Sequence, residues 1–138
     1  MPEHLMNPFA RSIWSRLVSE YPEWREQTEV LDNGDFECWV SAPPGSKALH
    51  LIVFTSQGKD LWVRYALPQM CYSLDDEDEM LSIIGQLLRD EALFVVTKKS
   101  GEWTGTTLIC PEGEPEVDAG EIARVVSWSG KLDRLVKG

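Results

Sequence analysis

Five consecutive carboxylates, Asp75 to Glu79 within SLDDEDEMLSIIGQLLRDE, are the densest group of potentially reactive side chains in the sequence. Such a run could hold a hard cation, perform acid–base chemistry, attract a basic partner or simply open a helix. A calcium loop needs glycine at its sixth position and glutamate at its twelfth; counted from Asp75 these are Met80 and Gln86, so that chemistry fails. Acid–base catalysis fares little better, because exposed, mutually solvated carboxylates at a helix start are poor places to raise a pKa. The local reading is a cap: Ser73 stands three residues before Asp76 in the S-x-x-D pattern, and Met80, Ile83, Ile84, Leu87 and Leu88 continue at core spacing. Negative charge there faces unpaired NH groups and the positive helix end, worth about 0.3 to 1 kcal/mol per well-placed group. Five carboxylates exceed that need, so Asp75, Glu77, Asp78 and Glu79 are expected to face a partner.

The other reactive types are sparse. Cys38, Cys71 and Cys110 are odd in number and never spaced as C-x-x-C, which excludes a zinc knuckle or a disulfide framework and predicts reduced, half-buried packing residues. A catalytic thiol needs a base, and the two histidines are His4, near the N-terminus, and His50, inside a strand pattern. Phosphate-loop, dinucleotide, zinc-protease and nucleophile-elbow motifs are absent, as is any basic patch with interleaved aromatics. The expectation is therefore no enzyme, no cofactor and no metal.

The elements that must position these groups begin with a helix: Asn7 caps, Pro8 fits the first turn, Phe9, Ile13, Trp14, Leu17 and Val18 form a stripe, and Tyr21-Pro22 ends it. A turn at Asn33-Gly34 leads to the strand FECWV and the loop SAPPGSK. Residues 48 to 67 then read as a hairpin, ALHLIVFT and DLWVRYAL around SQGK. After the acidic helix, in which Gly85 suggests a close crossing over a sheet, ALFVVTKKSGEWTGTTLI reads as a second hairpin. IARVVSW reads as a sixth strand, with a helix capped by Asp118 as the alternative over residues 118–128. The expected fold is α+β: one domain over residues 1–138, with a mainly antiparallel sheet of about six strands and both helices packed on one face.

Alternation divides the third strand into Leu61, Val63, Tyr65 and Leu67 on one side and Trp62, Arg64 and Ala66 on the other. If the helices cover the first side, Trp62 and Arg64 stand on an open face near Trp39, an aromatic and cationic surface of the kind enriched in interface hot spots. The competing expectation is a second packed layer over the same rings.

Length and composition fit this picture. The chain has 138 residues, 43% hydrophobic and 26% charged, enough for a core without disulfides. No apolar stretch approaches a bilayer span, and the N-terminus lacks the pattern of a secretory signal, so a cytoplasmic location is expected. A net charge of −10 repels nucleic acid and anionic lipid and favours a basic protein partner.

LHLIVFTSQGKDLWVRY, the acidic helix, GEWTGTTLI and above all the terminal VVSWSGKLDR resemble small bacterial immunity proteins of polymorphic toxin systems, of the contact-dependent, type VI and Rhs kind. The resemblance runs over roughly residues 35 to 134, and no motif of that group transfers residue by residue. It implies a protein that binds one cognate toxin domain and blocks it, often by covering an active site that handles an anionic substrate. It leaves monomer and dimer both open. Size, acidity and the order helix, three strands, helix, two strands also resemble type III secretion chaperones, which dimerise and hold an extended effector segment, although that fold ends in a helix. A hydrolase acting through scattered acids and His50 is the third reading.

Overall fold

A computed structural model describes residues 3–67 and 71–138. The fold is α+β, with nine antiparallel strands among the described residues, in two sheets rather than about six in one. Helix α1 (Pro8–Glu20) is followed by a 3-10 segment (Pro22–Gln27) and a five-stranded meander: β1 (Thr28–Val30), β2 (Phe36–Ser41), β3 (His50–Ser56), β4 (Asp60–Tyr65) and β5 (Tyr72–Leu74). Helix α2 (Glu77–Leu88) leads to β6 (Leu93–Lys99), β7 (Glu102–Ile109), β8 (Glu121–Val126) and β9 (Arg134–Lys137), paired in the order β7-β6-β8-β9. The described residues thus run helix, five strands, helix, four strands. The order on which the likeness to secretion chaperones rested is replaced, and residues 121–126 are strand, not helix.

Helix α1 begins where Asn7 and Pro8 direct it: the Asn7 carboxamide oxygen accepts the Ala10 N–H at 2.8 Å. Its apolar stripe, Ile13, Trp14, Leu17 and Val18, is buried on the inner face of the first sheet together with Met80, Ile84 and Leu87 of α2. That inner face is built by in-register residues, among them Cys38, Val53 and Val63 across β2, β3 and β4. Leu61, Val63 and Tyr65 lie there as alternation requires, whereas Leu67 follows the strand and is exposed. Burial of the Cys38 thiol is complete, not partial, and pushes its pKa up to about 11.

One buried carboxylate organises the entry to this layer. Asp35, 1% exposed, accepts hydrogen bonds at Oδ1 from the Asn7 amide (3.0 Å), the Thr55 hydroxyl (2.9 Å) and the Gly58 N–H (3.2 Å). Its Oδ2 accepts from the Asn33 amide at 2.8 Å. The start of α1, the β1–β2 turn and the β3–β4 turn therefore share one acceptor. Gly34 beside it has φ +89°, and a Cβ there would lie 2.7 Å from the Asn7 nitrogen, so both conformation and space demand glycine.

The second sheet joins the main core at one end only. Phe94 and Val126, in-register partners, pack in the same cluster as Tyr65 and Trp128, with Tyr65 edge-on to Phe94 at 4.9 Å. On its opposite face Leu93, Val95, Ala123 and Val125 form a smaller core, closed by Val117 of the Cys110–Gly120 connection. Glu121 fixes the same connection by accepting from the Asp118 N–H at 2.9 Å and, in a short hydrogen bond, from the Thr104 hydroxyl. Among the described residues no helix is long and apolar enough to cross a membrane.

Two local expectations are corrected. The α2 cap is Asp76, not Ser73: Asp76 Oδ1 accepts the Glu79 N–H at 2.8 Å, while Ser73 is taken up by β5. Gly85 marks no crossing over a sheet; a Cβ there would meet the Arg89 guanidinium at 3.1 Å, so that side chain lies across it.

Candidate functional site

The outer face of the first sheet is read directly from strand register. One row crosses the strands as Trp39, Ile52 and Arg64; the next as Glu29, Glu37, Phe54, Trp62 and Ser73. These rows are partly open to solvent: Trp39 is 37% exposed, and His50, Phe54, Trp62 and Arg64 are partly exposed. Ile52 is fully buried yet belongs to neither hydrophobic cluster, so this face supplies its own cover. The rings are held in place. Trp62 donates its indole N–H to the Ser56 hydroxyl at 2.9 Å and lies near-parallel to Phe54, with centroids 6.4 Å apart. Trp39 meets His50 edge-on at 5.5 Å and donates to Glu37 at 3.4 Å. Trp39, Trp62 and Arg64, singled out from alternation, are thus brought together on one face.

Charge adds a feature that alternation alone did not supply. Glu29 and Glu37 are direct ladder partners, a like-charge pairing that weakens a sheet and needs a reason outside it. Sequence reading missed it because β1 has only three residues, although Glu37 could have been placed beside Trp39 by its spacing of two. Arg64 is the one cation among these ladder positions.

The acidic run starts at the edge of this face, since Ser73 pairs with Trp62 and Asp75 follows two residues later. Its members have different jobs. Asp76 caps α2, and the Glu79 carboxylate accepts the N–H of Asp75, the residue before the cap, at 3.0 Å, a variant of the box displaced by three residues from the expected one. Asp78 bridges to Arg16 of α1 at 2.9 Å, an exposed pair of little energetic weight. Asp75 and Glu77 are left as the side chains without such a partner among the described residues. A cleft of about 250 Å³ at Asp75 is lined also by Lys59, Asp60 and Asp76.

The thiols and His50 do not converge among the described residues. Cys38 points to the inner face, and His50 stands on the outer one beside Trp39. Cys71 is partly buried, which raises its pKa despite the nearby Arg64, and Cys110 is exposed. Among the described residues no three His, Cys, Asp or Glu side chains are grouped as a metal site. No family model, curated protein or solved structure matches the chain.

Proposed function

We propose that this chain is a non-enzymatic binding protein, an immunity protein that captures and neutralises the toxic domain of a cognate bacterial toxin in the cytoplasm. The observation that supports it is the partly exposed outer face of the first sheet, where Trp39, Phe54, Trp62 and Arg64 stand beside the paired carboxylates Glu29 and Glu37. Aromatic anchors ringed by negative charge suit a basic protein surface. The rings supply affinity, and the carboxylates, with Asp75 and Glu77 at the edge, supply attraction at long range. A toxin site built to hold an anionic substrate presents such a basic surface.

The test is co-expression and co-purification with the toxin encoded by the neighbouring gene. Trp39→Ala and Trp62→Ala should each weaken toxin binding by about 2 kcal/mol or more. Trp39→Ala should leave the thermal midpoint nearly unchanged, while Trp62→Ala, half-buried and hydrogen-bonded, should lose only about 1 to 2 kcal/mol of stability. Neutralising Glu29, Glu37, Asp75 and Glu77 together should slow association several-fold and flatten its salt dependence. Normal protection and binding by folded tryptophan variants would reject this face.

A further inference from the structure

A second exposed face lies on the other sheet, and its polarity is reversed. We infer that it is a docking site for an acidic, apolar-bearing segment of a partner polypeptide, distinct from the toxin-facing surface. Register places Trp103, Lys98, Ile122 and Lys137 in one row, with Thr106, Val96, Arg124 and Leu135 in the next. Cations and apolar side chains alternate in a checkerboard, and these positions include no carboxylate. In a chain of net charge −10 that sorting is selective. Trp103, Ile122 and Leu135 are 52%, 44% and 60% exposed, so large apolar side chains stand in water beside the charges. None of the three cations is in an ion pair among the described residues. Val96 and Ile122 line a cavity of about 410 Å³ between Lys98 and Arg124, sized for inserted side chains rather than a broad flat surface.

An acidic polypeptide answers both halves of the pattern: carboxylates for the cations, apolar side chains for the spaces between. Nucleic acid answers only the first and meets the repulsion of the whole chain. A two-fold pairing of this face with itself would bring like charges together.

The probe is a short peptide alternating glutamate and leucine, titrated into the isotope-labelled full chain by NMR. Saturable shifts are expected at Lys98, Ile122, Arg124 and Leu135, with none from the lysine–leucine counterpart. Lys98→Glu combined with Arg124→Glu should raise the Kd about tenfold or more. Should that pair fail to fold, Lys98→Ala and Arg124→Ala singly should each weaken binding. Trp62→Ala must leave peptide binding intact, which separates this proposal from the toxin reading. An undisturbed face refutes the site. So do equal shifts from inorganic phosphate, tighter binding of a single-stranded oligonucleotide, or the same residues shifting on dilution of the chain alone.

Discussion

Asp35→Ala removes one small side chain and is expected to destabilise the chain by about 3 to 5 kcal/mol, an amount set by the bonds it strands. Three donors converge on Oδ1 and one on Oδ2. Thr55 is 2% exposed, so its hydroxyl cannot turn to water; together with the part-buried Gly58 N–H it carries most of the loss, at about 1 to 3 kcal/mol for each stranded group. The Asn7 and Asn33 amides regain water, but Asn7 loses the contact that aims its carboxamide at the first turn of α1, about a further 1 kcal/mol. Asp35→Asn is the control. It keeps an oxygen for the three donors and exchanges only the one facing Asn33, so its loss should be about 1 to 2 kcal/mol. Urea unfolding followed by the fluorescence of the buried Trp14, Trp24 and Trp128 measures both. Equal losses for Ala and Asn would mean that charge, not the number of donors served, holds this junction, and a loss under about 1 kcal/mol for Ala would dismiss the shared acceptor altogether.

Among the described residues the Tyr65 hydroxyl is buried without a hydrogen-bond partner, and burial drives its pKa upward ahead of the repulsion from Asp90 and Asp133. Tyr65→Phe should therefore be neutral or stabilising by about 1 kcal/mol in the same urea assay, and a clear loss would reveal a partner for the oxygen. The Glu121 carboxylate is held below its usual range by the Thr104 hydroxyl and then by the Asp118 N–H, with Lys99 adding to them. A lowered folded pKa stabilises the native state above the unfolded carboxyl's value, and that contribution disappears as pH falls through the folded one. Thermal midpoints of Glu121→Gln and the parent should consequently converge in acid and separate towards neutrality; parallel curves would contradict the assignment.

Where one element sufficed, the sequence was legible. Asn7-Pro8 announces the start of α1, Asn33-Gly34 its turn, and the alternation of DLWVRY assigns Trp62 and Arg64 to the face opposite the helices. Three of the four edge strands, β1, β5 and β9, have three or four residues each, too few to display a period of two. The division into two sheets was hidden for another reason. A hairpin pattern in LFVVTKK and EWTGTTLI does not say whether its next neighbour is β4 or β8, a choice made by hydrogen bonds between residues far apart in sequence. The displaced cap follows from the first cause: Ser73 and Asp76 are both good capping residues, and only pairing with Trp62 commits Ser73 to a strand. The checkerboard of Lys98, Ile122, Arg124 and Leu135 is likewise invisible until β6, β8 and β9 are set in register.

Net charge alone therefore describes this chain poorly, because its charges are sorted between faces that also differ in how they hold their apolar groups. On the first sheet the Trp62 indole is tied to Ser56 and set against Phe54, and Trp39 is set against His50 and tied to Glu37. A long side chain fixed during binding costs about 0.5 to 1.5 kcal/mol, and these rings have already lost that freedom to strands and hydrogen bonds that exist without a partner. Two such anchors spare roughly 1 to 3 kcal/mol, comparable to the loss proposed for removing one ring. The like-charged Glu29 and Glu37 beside them exact a cost in the free protein that a basic partner would relieve on contact. A pre-set aromatic platform and an electrostatic repulsion that a cation would relieve act in the same direction, so the affinity and attraction proposed for a basic partner would arise from two adjacent rows of one sheet face.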